Sequence, residues 1–301
     1  MQLVENKSEF ATYHPMINFI YFVVVFVFTM LFMHPVCLSI SYFCAFSYSL
    51  YLRKKKALIF NLLFLLPGMI MAAVINPAFN HEGITILMYL SNGNPLTLES
   101  ITYGIAASAM LATIVLWFSC FNVVITSDKI IYLFGKIIPS LSLIISMTLR
   151  FIPMFKAQIK VISNGQKAIG RDVSEGGIFK RMICGIRILS IMITWVFENA
   201  IETADSMKAR GYGLPNRTAF SNYSFDKRDR KMAAFIFVDL VYILIGIFNN
   251  QMYYRYFPSM KGVGASFYSI SVFVAYFIFC ITPIVVELME DRKWKLLRLK
   301  V

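Results

Sequence analysis

The chain has 301 residues, of which 58% are hydrophobic and only 15% charged, a balance that excludes an ordinary soluble domain and points to the bilayer. A formal charge of +13 would suit nucleic acid, but the basic residues lie beside long apolar runs; lipid headgroups explain them first, and no nucleic-acid partner is expected. Five cysteines without paired spacing (Cys37, Cys44, Cys120, Cys184, Cys280) read as reduced packing residues, and three scattered histidines (His14, His34, His81), two of them before a proline, suggest no metal site.

The N-terminus carries Glu5, Lys7 and Glu9 and lacks the basic start and cleavage pattern of a removable signal peptide, so the first span is expected to be retained. Met16–Met33 and Pro35–Leu52 are apolar windows joined at His34-Pro35. They read as a short hairpin at the lower limit of spanning length, a re-entrant or steeply packed pair being the alternative. Ala57–Phe79 and Ser100–Ser127 read as the third and fourth spans, separated by turn signals at Asn76-Pro77, His81-Glu82-Gly83 and Asn92-Gly93-Asn94-Pro95.

From Asp128 onward charges interrupt the apolar rhythm. Ile130–Phe151 is bracketed by Lys129, Lys136 and Arg150 and broken by Pro139. Phe151–Arg171 has the pattern of a helix in the interface plane, with Ile152, Phe155, Ile159 and Ile162 on one stripe and Lys156, Lys160, Lys167 and Arg171 beside it. Ser174–Arg187, with Gly176-Gly177 and Gly185, reads as a bend; Ile188–Phe197 is too short to span and joins the polar turns after it in one partly immersed helix. Met232–Tyr254 and Gly262–Val286 complete six spans, followed by a basic tail of Arg292, Lys293, Lys295, Arg298 and Lys300.

The expected fold is therefore an all-α polytopic membrane protein with about six transmembrane helices and a cytoplasmic pair of long amphipathic helices. Its regions are 1–127 with four spans, 128–231, and 232–301 with two spans. Arg53–Lys56, the seventeen Lys and Arg of 128–231 and the tail fall on one side, against Arg255 and Lys261 on the other. That asymmetry predicts a multi-pass protein with both termini inside.

The most patterned polar stretch is Glu198–Gly213. As a helix it places Ile193, Val196, Phe197, Ala200, Ala204 and Met207 on one face and Glu198, Glu202 and Asp205 on an acidic stripe. Ala200 and Ala204 form a small-xxx-small pair suited to a close helix crossing, with the 151–171 helix as the expected neighbour. Arg210 precedes Gly211, with Gly213 and Pro215 beyond, which is the pattern of a helix end. A guanidinium there is favoured by the helix dipole and can reach a partner's carboxylates or carbonyls; the plainer alternative is that it caps its own helix. Asp239 is the lone ionisable group in the six windows: a proton relay is one reading, and the favoured one is a structural carboxylate reaching interface water or Lys231. No catalytic constellation, no cofactor fingerprint and no G-x-x-x-x-G-K-[ST] loop is present, so any nucleotide would be bound by another chain.

Thr148-Leu149-Arg150-Phe151-Ile152-Pro153, Gln166-Lys167-Ala168, the run from Ala204 to Gly213, Pro215-Asn216-Arg217-Thr218 and the early His14-Pro15 together carry a resemblance. The chain resembles the transmembrane T component of energy-coupling factor (ECF) transporters, the vitamin and metal-ion importers of bacteria and archaea. The resemblance implies a non-catalytic scaffold in a prokaryotic cell membrane. Two coupling helices ending in Ala-Arg-Gly would insert into two ATP-binding cassette ATPase subunits, and the membrane part would hold a substrate-binding S subunit that selects the cargo. By position Ala209, Arg210 and Gly211 are the second signature. The first departs from it as Ala168-Ile169-Gly170 followed by Arg171. Either Arg171, two residues past the position of the missing arginine, replaces it, or that contact is altered and more apolar, with Lys167 and Arg171 as its remaining cations, which is favoured. The alternative function is a self-sufficient carrier or channel with a cytoplasmic regulatory domain, which would need a polar path through the spans.

Overall fold

The computed structural model describes residues 8–89, 93–135, 139–174, 176–212, 214, 223–262, 264 and 266–298. Lys136, Gly213 and the motif residues 215–218 lie outside the described residues.

A 3-10 turn, Phe10–Thr12, leads into helices α1 (Pro15–Leu31) and α2 (Pro35–Arg53). The two helices start in the same way. Proline at the first helical position costs no hydrogen bond, and the preceding histidine caps the first turn: Met16 N donates to His14 Nδ1 at 3.3 Å and Val36 N to His34 Nδ1 at 3.2 Å. Burial lowers the His34 pKa, which keeps Nδ1 free to accept. Then follow α3 (Lys55–Phe60), a π turn (Asn61–Leu65), α4 (Leu66–Phe79) and an antiparallel hairpin of β1 (Ile86–Tyr89) and β2 (Pro95–Thr97). α5 (Leu98–Val124), α6 (Ser127–Gly135), α7 (Pro139–Ala168), α8 (Ile178–Ala209) and α9 (Lys227–Phe248) follow. Two-residue strands β3 (Tyr254–Arg255) and β4 (Lys261–Gly262) precede α10 (Phe267–Arg298).

This is an all-α polytopic membrane protein. Among the described residues six helices are long and apolar enough to cross a bilayer: Pro35–Arg53, Lys55–Phe79, Leu98–Val124, Ile178–Ala209, Lys227–Phe248 and Phe267–Lys293. The set differs from the sequence expectation at two places. α1 has 17 residues and falls short of a span. α8 qualifies because it is one 32-residue helix; Gly185 lies inside it, so the bend expected over Ser174–Arg187 does not extend past Gly177. α7 begins at Pro139, where a proline fits the first turn, and runs on through Pro153, so it is longer than the helix read from Phe151. Glu99 and Glu287 lie on spanning helices, so Asp239 is not the lone ionisable group there.

The chain divides into two compact units, one of residues up to Ile130 with those from Tyr223 onward, the other Ile131–Asn222. The first is built on an aromatic core in which Tyr21, Phe22, Tyr48, Trp117, Tyr276 and Phe279 are fully buried. Edge-to-face pairs such as Phe22–Phe121 at 5.5 Å fill it, and its ring polar groups find partners in other helices: Trp117 Nε1 donates to Ser41 Oγ at 2.9 Å and Tyr21 OH to the Phe279 carbonyl at 3.2 Å. All five cysteines are buried and free. α4 lies close against α5 at Gly104, where a Cβ would stand 2.7 Å from the Ala73 carbonyl oxygen. In the second unit α8 packs on α7, burying Cys184, Ile188 and Met192, with Trp195 edge-on to Phe155 at 6.1 Å.

Candidate functional site

The two long helices of the second unit end in the same backbone motif. At the end of α8, Gly211 takes φ +79°, Gly211 N donates to Lys208 O at 2.9 Å and Tyr212 N to Met207 O at 3.0 Å. At the end of α7, Gly170 takes φ +76°, Gly170 N donates to Lys167 O at 2.9 Å and Arg171 N to Gln166 O at 2.9 Å. Both are Schellman caps, in which a glycine in the left-handed region turns two amides back onto otherwise orphaned carbonyls. The motif fixes a register: Ala168 matches Ala209, Ile169 matches Arg210, Gly170 matches Gly211, and Arg171 matches Tyr212.

That register bears directly on the odd first signature. Ile169 holds the cap position that Arg210 holds on α8, and Arg171 stands two residues later, past the glycine. Ala168, Ile169, Gly170, Arg171, Ala209 and Arg210 are all exposed, and Gly211 is half-buried. Each tip therefore offers one side chain at a backbone position of fixed geometry, apolar on α7 and cationic on α8. The surroundings differ too. Asp172 accepts from Ser174 N at 2.9 Å and pairs with Lys167 Nζ at 2.9 Å. The Ser174 amide first, and then Lys167, hold the Asp172 carboxyl well below the usual range. Lys167, one of the cations expected at this tip, is thus partly neutralised within the chain.

Ala200 and Ala204 are exposed. They share a stripe with exposed Ile193, Phe197 and Ile201, on the side of α8 away from the buried Cys184, Ile188 and Met192. The close crossing expected with the 151–171 helix is thus not formed through this pair; Trp195 meets Phe155 of α7 instead. Asp239 is half-buried, and its Oδ2 is enclosed without a hydrogen-bond partner among the described residues, so the expected link to Lys231, which is exposed, is not made.

A second constellation carries no sequence signal. Segment Ser8–His14 is held by buried charges from three elements. Glu287 of α10 accepts from Ser8 Oγ, from Glu9 N at 2.8 Å and from Phe10 N at 3.3 Å. Lys129 of α6 donates to Ala11 O at 2.5 Å and Val124 O at 2.9 Å. Asp229 of α9 accepts from His14 N at 3.2 Å and closes a capping box by accepting from Asp226 N, while Arg228 bonds Thr12 and stacks on the Tyr13 ring at 4.1 Å. Burial pulls the Lys129 pKa down to about 8. Lys129 sits where the chain leaves the first unit and Asp229 where it returns, so one short segment fastens both crossing points.

The chain is thus an all-α multi-pass membrane protein in which the two long helices between α6 and α9 end in matched, exposed caps. A model of the CbiQ cobalt transport protein family matches residues 9–220, and the chain belongs to that family. It is similar to proteins named energy-coupling factor transporter transmembrane protein EcfT. That of Lacticaseibacillus paracasei is 36% identical over 93 residues, covering 31% of this chain and 35% of its own length. That of Lactococcus lactis subsp. cremoris is 32% identical over 106 residues, covering 35% and 40%. One from Listeria monocytogenes is 40% identical over 81 residues, covering 27% and 30%. The chain thus spans well under half the length of these curated relatives.

Proposed function

We propose that the chain is the non-catalytic membrane scaffold of an ATP-driven importer of the energy-coupling factor type, for vitamins or metal ions. The observation that carries this reading is the pair of matched Schellman caps with exposed Ile169 and Arg210 at the same backbone position. Each tip seats in one of two ATP-binding cassette ATPase subunits. A substrate-binding S subunit is held in the membrane of a prokaryotic cell, and residues 128–231 face the cytoplasm, with α8 lying at that surface rather than crossing although its length and composition would allow a span. The seventeen cations of 128–231 favour that orientation. So does the exposure of Glu198, Glu202 and Asp205 on the last turns of α8, which lipid would penalise.

In this reading ATP closure draws the ATPases together and moves both tips with them. The scaffold follows only as far as the ATPase pair binds its two arrangements unequally, so the tip contacts carry the coupling free energy. The register disfavours Arg171 as a stand-in for the missing arginine and supports an altered first contact through Ile169, so the two ATPase grooves are expected to differ. Co-expression with two ATPases and an S subunit tests the whole reading: the wild-type chain brings all three down and supports ATP-dependent uptake in liposomes. Transport by the chain alone would refute the scaffold and favour a self-sufficient carrier.

A further inference from the structure

We infer that the β1–β2 hairpin is a membrane-interface foot, seated at the boundary between headgroups and acyl chains and fixed rigidly to the start of α5. This inference does not rest on the proposed function. The hairpin lies between two spanning helices, beginning soon after the end of Lys55–Phe79 and ending at Thr97, directly before Leu98–Val124, so it sits at the level where the chain emerges from the bilayer. Between Glu82 and Glu99 the sequence has no Asp, Glu, Lys, Arg or His.

The side chains argue for a lipid neighbour. Ile86 pairs with Thr97 and Met88 with the adjacent Leu96, so the register slips between them and β1 sends Ile86 and Met88, with Leu87 and Tyr89, to both faces of the hairpin. All four are exposed, at 47, 58, 53 and 65%, and Ile84 beside them is 67% exposed. A strand in contact with water on one side normally shows a polar row there, and β1 has none. Contiguous exposed apolar surface of this kind marks a membrane or protein contact. The hairpin is a two-stranded sheet, so each strand keeps one open edge of backbone N–H and C=O groups. Open edges are excluded from the hydrocarbon interior, which fixes the depth at the interface, the level at which Tyr89 also fits.

The base is built to hold that position. The buried Glu99 carboxylate accepts from Thr85 N at 3.2 Å and Thr85 Oγ1 at 2.9 Å. Leu98 N donates to Thr85 O at 3.0 Å and buried Thr97 Oγ1 to Glu82 O at 2.7 Å. Gly83 takes φ +140°, and a Cβ there would fall 2.6 Å from Glu99 Oε2, so the turn closes tightly on the carboxylate.

The test uses the full chain in phosphatidylcholine nanodiscs. Because the native cysteines are buried, Leu87→Cys and Met88→Cys can be labelled singly with an environment-sensitive fluorophore, with Glu82→Cys as the polar control and Ile84→Cys in reserve if either variant fails to insert. The expected result is blue-shifted emission at 87 and 88 relative to 82, quenching by lipids carrying a nitroxide at headgroup level more than by lipids carrying it deep in the acyl chain, and protection from iodide. Iodide access equal to that at Glu82 would overturn the inference, as would stronger quenching from the deep nitroxide. Shielding from both lipid and iodide would overturn it in favour of a protein neighbour, and disulfide cross-linking of Leu87→Cys would identify that neighbour as a second copy.

Discussion

The ends of α7 and α8 share one backbone and differ in one side chain. Gly170 and Gly211 bring their helices to a stop through the same pair of hydrogen bonds, yet the residue carried at the cap is Ile169 in one case and Arg210 in the other. Backbone geometry and chemical identity are therefore separable here. The glycine sets where the tip points, and the residue before it is free to match whatever receives it.

In the proposed complex the largest effect is expected from Arg210→Ala. Truncating a desolvated, charge-assisted interface arginine costs about 2–5 kcal/mol, so pull-down of one ATPase should fail and uptake collapse; unchanged co-purification and uptake would remove Arg210 from the mechanism. Next comes Ile169→Ala, which should weaken the other contact by about 2 kcal/mol if the isoleucine is buried there, read by titrating ATPase onto the scaffold. Ile169→Arg sharpens the comparison, because improved binding would show the first groove to be acidic rather than apolar. A smaller change is expected from Gly170→Ala or Gly211→Ala, since a left-handed residue with a Cβ costs about 1–2 kcal/mol; amide exchange should show the last helical turn fraying at the substituted tip only.

The smallest predicted effect depends on pH and distinguishes the tips without any mutation. A carboxyl held below its ordinary value of 3.8 contributes order that is complete above that value and fades as the pH falls below it. Acidification through that range should therefore lower the protection of amides around Ser174, measured against their intrinsic exchange rates at each pH, and leave the protection of Gly211 and Tyr212 unchanged. Equal loosening of both ends would show that Asp172 does not hold the first.

The helix ends were legible because glycine after a periodic run is a strong signal, and the resemblance assigned them a role; the caps then decided which residue of 169–171 is the counterpart of Arg210. The start of α7 and the length of α8 were misread for related reasons. Pro139 reads as a breaker although a first-turn proline is harmless, and Gly185 reads as part of a bend although it sits within an unbroken helix. The clamp on Ser8–His14 had no local pattern to betray it. Glu287 meets Ser8 across 279 positions of sequence, and a lone glutamate near a helix end looks the same whether it caps a distant amide or faces water.

That clamp has a practical corollary for anyone handling this protein. Both junctions of the 131–222 unit with the rest of the chain are moored to the same handful of amides and carbonyls near the amino end. An affinity tag, signal fusion or trimmed leader that drags Ser8 or Ala11 out of place would slacken the two moorings at once, so handles for purification belong at the carboxyl end.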